Sequence, residues 1–290
     1  LIADHRELWL FGQISTEVWS NSGNVDFPFE RIPGAFIQTG CAAPFSVCRM
    51  DNSIFWLGAD ERGTGMIWRA DGYRPTRIST HAIEREIQSY PVTSDAIAYA
   101  YQQEGHAFYV LTFPTADRTW VYDASVGEWH ERAWFDAFGV QHRHRPSCCA
   151  QYQGRVVVGD WQTGELSTYD LETYTERGEP IRRIRTGYHD ASPDLTVTTF
   201  DDFQVDMESG VGLQAGQGVN PQAMLRFSDD GGRTWSTEAW ASFGRVGEYT
   251  ARARWRRLGR ARDRVFEVTV TDPVKVIMLG AAINSMGGTS

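Results

Sequence analysis

Residues 227–236, FSDDGGRTWS, fit the spacing S-x-D-x-G-x-x-W through Ser228, Asp230, Gly232 and Trp235. A carboxylate on such a turn is a candidate for acid–base work on a glycosidic bond, which needs two carboxyl groups flanking the bond. The same residues also suit a structural hairpin box. Ser and Asp hydrogen-bond their own turn, Gly takes the positive-φ position, and Trp covers the hairpin. This second reading predicts a hairpin without catalysis. Other paired acids, Asp201 and Asp202 in FDD and the DER run from Asp60, read as solvated turn formers. His142, His144, Cys148 and Cys149 in HRHRPSCC are zinc-ligand types. They crowd one short loop and strand, whereas structural zinc wants separated ligand pairs, so no metal and no cofactor is expected. No phosphate-binding glycine loop, G-x-S-x-G elbow or H-E-x-x-H helix is present, and no residue is nominated as a nucleophile.

These residues need elements to hold them, and the composition predicts what those are. A chain of 290 residues with 11 Trp, 28 Gly and 13% aromatics suits repeated hairpins with aromatic cores and glycine turns. Strand pairs recur: ELWLFG with STEVWSNSG, SIFWLG with GMIWRADG, HAFYVLTF with RTWVYDASVG, and RVVVGD with ELSTYDLETY. The polar residue closing the second member falls at Asn21, Asp71, Asp123 and Asp170, spacings of 50, 52 and 47. A period near fifty is that of a four-stranded propeller blade. Within this region 77–90 reads as a linking helix capped by Thr80, with Ile83 and Ile87 inward and Glu84, Arg85 and Glu86 toward water. Past Pro193 the period fails and six alternating runs predict a β-sandwich. The fold expected is therefore all-β: a β-propeller part over 1–190 with about four blades, incomplete at its N-terminus, then a β-sandwich over 191–290. The box occurs once, in the sandwich, whereas propeller enzymes of the sialidase type carry several copies, which weighs against a glycosidase.

The formal charge of −9 argues against general affinity for phosphate backbones. Against that background Arg252, Arg254 and Arg256 alternate with Ala251, Ala253 and Trp255, so a strand here shows arginines on one face. These three are interface candidates for an acidic neighbouring subunit; DNA phosphates or plain solvent are the alternatives. Four cysteines in so long a chain are too few for a disulfide framework and predict synthesis in a reducing cytoplasm. No apolar run is long enough to span a membrane. The chain opens on what reads as a strand already under way, which predicts an upstream part.

Residues 26–90, with the run YRPTRISTHAIE, and residues 254–284, RWRRLGRARDRVFEVTVTDPVKVIMLGAAIN, resemble the packaged-DNA stabilisation protein, or tail hub protein, of short-tailed bacteriophages. The resemblance implies a non-enzymatic virion protein made in the host cytoplasm and built into the viral tail. It implies a homo-oligomeric ring of six, a nozzle that extends the portal channel and helps retain DNA until ejection. Implied partners are the portal-adaptor protein, the tail needle or plug, the tail fibre or spike, and DNA passing without sequence specificity. Two rivals are a sialidase-like glycan-binding protein or glycosidase, which predicts a blade-end pocket of acids and aromatics, and a stand-alone host scaffold.

Overall fold

The computed structural model describes residues 1–60, 63–187, 189–191 and 196–287. It divides into two units, Leu1–Tyr169 and Asp170–Ser290.

The first unit is a succession of antiparallel sheets made by consecutive strands. Sheet one runs β1 (Ile2–Asp4), β2 (Glu7–Phe11), β3 (Thr16–Asn21) and β4 (Phe29–Ile37). Sheet two comprises β5 (Gly40–Cys41), β6 (Cys48–Met50), β7 (Ser53–Asp60), β8 (Gly63–Asp71) and β9 (Arg74–Arg77), with β5 and β6 both on β7. Helix α1 (His81–Gln88) follows. Sheet three is β10 (Ile97–Gln103), β11 (His106–Phe113), β12 (Arg118–Asp123) and β13 (Glu128–Glu131). A small hairpin, β14 (Ala133–Phe135) and β15 (Gln141–Arg143), leads to sheet four, β16 (Pro146–Tyr152), β17 (Arg155–Asp160) and β18 (Leu166–Thr168).

The period seen in the sequence is local turn chemistry repeated. Each sheet joins its first two long strands by a two-residue turn with both φ values positive: His5–Arg6, Asp51–Asn52, Glu104–Gly105 and Gln153–Gly154. Such turns match the right-handed twist of the flanking strands. Asn21, Asp71 and Asp123 end the third long strands, and Asp170 follows β18. Asn21, Asp123 and Asp170 accept the backbone N–H two residues on, at 2.9, 2.9 and 3.2 Å.

Strand β7 shows why SIFWLG is an unbroken apolar run. Ile54 and Trp56 pack with Trp9 and Val18 of sheet one, while Phe55 and Leu57 pack with Tyr109, Leu111 and Phe113 of sheet three. Alternating side chains thus serve two different cores, as propeller blades require. Strand β11 repeats the arrangement, with Val110 turned to Val156 and Val158 of sheet four.

Helix α1 has the expected Thr80 cap, whose hydroxyl accepts from Ile83 N, and Ile83 and Ile87 are buried. Glu84 departs from expectation: it is buried, not turned to water. The carboxylate accepts from Nε and Nη2 of Arg77 and from the Ser79 hydroxyl, which itself accepts from Ile67 N. Sequence periodicity missed this because the partners lie before the helix. Burial pushes Glu84 up, but the hydrogen bonds from Arg77 and Ser79 and the Arg77 charge outweigh it and hold the carboxyl below its ordinary value. Glu84→Gln is expected to cost about 2 kcal/mol at neutral pH, the scale of hydrogen bonds to a charged group. A lowered folded-state pKa means that this contribution is complete above the unfolded value of about 4.3 and fades as pH falls through the folded one. Urea unfolding of both proteins from pH 7 downward should show the gap closing in acid; a gap that widens there would refute the assignment.

The second unit holds β19 (Thr175–Glu176) paired with β20 (Glu179–Pro180), and two larger sheets. One contains β21 (Arg183–Thr186), β22 (Asp190–Ala191), β24 (Gln222–Ser228), β25 (Ala239–Ser242) and β28 (Asp263–Val270). The other sets β23 (Thr198–Met207) between β29 (Met278–Gly287) on one side and β26 (Ala253–Arg256) with β27 (Arg260–Ala261) on the other. Phe200, Phe203 and Val205 of β23 meet Leu225, Phe266 and Val268 of the facing sheet in one core, the two-layer arrangement of a β-sandwich. Strand β21 lies on the propeller side of the boundary expected at 190/191, yet it pairs with β28 from Arg183 to Thr186.

Candidate functional site

The hairpin box sits on the loop from β24 to β25. The Ser228 hydroxyl donates to Asp230 Oδ1 at 2.7 Å and accepts from Gly232 N at 2.8 Å. Asp230 Oδ1 also accepts from the N–H groups of Arg233 and Thr234, both at 2.9 Å, and Oδ2 accepts the Thr234 hydroxyl at 2.7 Å. Gly232 holds φ +92°, a conformation side chains resist. The loop is closed by Phe227 and Ser236: Ser236 N donates to Phe227 O at 2.9 Å, and Phe227 N to Ser236 Oγ at 3.0 Å. Trp235 is covered by the Arg226 guanidinium, 4.6 Å from its ring centre, and Arg226 in turn pairs with the buried Glu267.

The Thr234 N–H and hydroxyl, followed by the Ser228 hydroxyl, hold the Asp230 carboxyl well below its usual range. A carboxylate so stabilised is a poor general acid near neutral pH, and its lone pairs are already engaged. We expect Asp230→Ala to loosen this loop and lower Tm by about 2–4 °C, the scale of a lost turn cap in a chain of this size. The effect should be complete above the unfolded Asp pKa of about 3.9 and fade as pH falls from there towards the lower folded-state value, because a depressed pKa contributes stability that is lost only as the folded carboxylate is protonated. Glycan turnover that falls in this variant with Tm unchanged would sink the structural assignment.

A residue the sequence reading passed over does more. Asp229, the unspecified position after Ser228, accepts from Nε and Nη2 of Arg264 at 2.6 and 2.7 Å. The Arg264 side chain is only 2% exposed, donates from Nη1 to Leu258 O, and lies 4.0 Å from the Phe227 ring centre and 4.7 Å from that of Phe200. The one available signal was an arginine inside the apolar run DRVFEVTV.

The arginine strand alternates as expected. Over β26, Ala253 and Trp255 are buried and Arg254 and Arg256 exposed, and Arg252 just before it is exposed too. The Trp255 ring lies 5.9 Å from that of Phe203, and its Nε1 donates to Ala239 O at 2.8 Å. Outward, Arg254 grips Asp202 with Nε bonds of 2.7 and 2.8 Å, and Arg252 reaches Asp206 at 3.2 Å. Arg254 holds the Asp202 carboxyl below its ordinary value, chiefly through that hydrogen bond. Asp202 is therefore an ion-pair partner, while Asp201 sits where the β23–β29 register shifts. Of the DER run, the Asp60 side chain and residues 61–62 lie outside the described residues.

The histidine–cysteine loop is not brought together. His142 Nδ1 bonds Asp117 at 2.7 Å and its ring stacks on Trp134, whereas His144 Nε2 meets the Tyr169 hydroxyl at 2.9 Å. Cys148 and Cys149 are adjacent on β16 and so point to opposite faces; Cys149 donates to Ala100 O at 3.2 Å. Among the described residues no three His, Cys, Asp or Glu side chains could share a metal ion. Instead Arg132 lies over Tyr101, Phe108 and Tyr169, with ring centres 5.3–5.8 Å away. Burial, then the Arg132 charge, pushes His144 down to about 3. The His144 imidazole is thus neutral near pH 7, which suits packing beside a fixed cation.

Residues 1–174 match the sequence profile of the family described as bacteriophage P22 Gp10, beta-propeller, and residues 191–285 match that of bacteriophage P22 Gp10, beta-sandwich. No curated protein matches. Among solved structures, an exo-β-1,3-galactanase from Phanerochaete chrysosporium aligns at 8% identity and TM-score 0.26, over 96% of this chain and 78% of the other. A glycoside hydrolase family 43 arabinoxylan arabinofuranohydrolase from Bacillus subtilis aligns at 8% identity and TM-score 0.21, over 96% and 65%. Likeness at these scores carries no argument about activity. No described helix is long and apolar enough to cross a membrane.

Proposed function

The chain belongs to the bacteriophage P22 Gp10 family, and from that premise we propose that it is a tail hub subunit of a short-tailed phage. Six copies form a ring below the portal and its adaptor. The ring extends the exit channel, helps retain the packaged genome, and anchors the tail needle or plug and the fibre or spike. The observation that carries this reading is the match of two successive profiles, in order, over both units of the chain. The net charge of −9 agrees with a conduit, since a surface that repels phosphate lets DNA slide where clustered cations would hold it. The carboxylate that looked most like a catalyst, Asp230, is engaged in closing its own loop.

Cryo-electron microscopy of particles of the phage encoding this chain tests the proposal. The expected result is density for the chain as a six-fold ring between portal adaptor and needle, with empty heads when the gene is deleted. Full, infectious particles without the chain would overturn it, and turnover of a glycan by the purified protein would favour a glycosidase.

A further inference from the structure

The strand β26 continues into β27 through a tight bulge on β23. Arg257 N donates to Asp201 O at 2.8 Å, Leu258 N to Phe200 O at 3.0 Å, and Phe200 N to Gly259 O at 2.9 Å. Arg257 and Gly259 both hold positive φ, and Leu258 and Ala261 are buried beneath them. This backbone is fixed at both ends, so its outward side chains project from a rigid base. They are Arg256, Arg257, Arg260 and Arg262, all exposed.

Their neighbours differ in one respect: every other arginine of this segment has an anion. Arg252 has Asp206, Arg254 has Asp202 and Arg264 has Asp229. The remaining acid of the segment, Asp263, is taken by His189 at 2.9 Å. Among the described residues, Arg256, Arg257, Arg260 and Arg262 form no ion pair. Arg256 shares the field of Asp202, which lies opposite it on β23 and is gripped by Arg254, while Arg257, Arg260 and Arg262 have no such neighbour among the described residues; four exposed guanidinium groups within seven residues stand out in a chain of net charge −9.

We propose that this arginine loop is a contact surface between copies of the chain, and that it takes a carboxylate-rich patch on the propeller unit of the neighbouring copy. The proposal rests on the ring reading above and supplies one of its contacts. Charge complementarity identifies the occupant: Leu1–Tyr169 carries 13 arginines and no lysine against 20 Asp and Glu. Guanidinium groups fit carboxylates as planar forks, which gives such a contact register as well as attraction.

The test is sedimentation velocity of the purified full chain at about 0.05 and about 0.5 M salt, between which exposed pairs are increasingly screened. Wild type is expected to associate at low salt and separate at high salt. The R256E/R257E/R260E/R262E variant should remain monomeric at both, with association weakened at least about tenfold, and the all-Lys variant should fall between. If the Glu variant does not fold, the four Arg→Gln changes replace it, with the same expectation. Wild type that stays monomeric, or a folded Glu variant that associates like wild type, overturns the proposal. So does a variant that loses retention on duplex DNA while its association is unchanged, which would assign the loop to nucleic acid. Particles that incorporate the Glu variant into normal rings would defeat this contact and leave the ring standing, whereas absence of any ring would defeat the functional reading itself.

Discussion

Asp229→Asn should lower the stability of the chain by about 3 kcal/mol, because it leaves the Arg264 guanidinium in an apolar cage without its anion. Arg264 is 2% exposed and surrounded by Phe200, Phe227 and Phe266, so it cannot be hydrated where it stands. The Asp229 side chain is 44% exposed, so water already screens the pair from its side, and the loss falls at the lower end of the range for a broken buried pair. The same logic predicts an ordering. Arg264→Met removes the buried charge and leaves Asp229 able to face solvent, so it should cost less than Asp229→Asn, about 1–2 kcal/mol. The double variant should then be more stable than Asp229→Asn alone. Urea unfolding of the four proteins gives the cycle; equal losses in both single variants, or a double variant worse than either, would show that desolvation of Arg264 is not what the pair offsets.

The second large effect is expected at Trp56. This side chain is fully buried between sheets one and two with Trp9, Val18 and Ile54, and its ring lies 5.4 Å from that of Phe11. Its Nε1 donates to Gly40 O at 3.2 Å, which fastens β7 to the start of β5. Trp56→Ala removes the largest piece of that core and should cost about 4 kcal/mol, within the range for buried Trp deletions. Trp56→Phe keeps much of the volume and loses the N–H, so a smaller loss of about 2 kcal/mol is expected. Thermal or urea unfolding distinguishes the two, and a Trp56→Ala cost under about 1 kcal/mol would mean that the two sheets do not share a packed core.

What the sequence by itself determined is what depends on neighbours along the chain. Hairpins, their period, the Thr80 cap, the alternation at Arg252, Arg254 and Arg256, and the self-contained hydrogen bonding of Ser228 and Asp230 all follow from residues a few positions apart. The two fold types were legible for the same reason, since blades repeat one local turn and sandwich strands alternate with period two. Tertiary structure alone decided which polar groups are buried and which charges are answered. Glu84 looked solvated on a helical wheel but is buried because Arg77 and Ser79 meet it from the preceding segment. Arg254 finds Asp202 from 52 positions away, and Arg264 finds Asp229 from 35. A charge may leave water only where a partner compensates its desolvation, and strand pairing sets that partner at distances no local pattern records. The same rule singled out the arginines at 257, 260 and 262, to which strand pairing brought no acid, and Arg256, which must share Asp202 with Arg254.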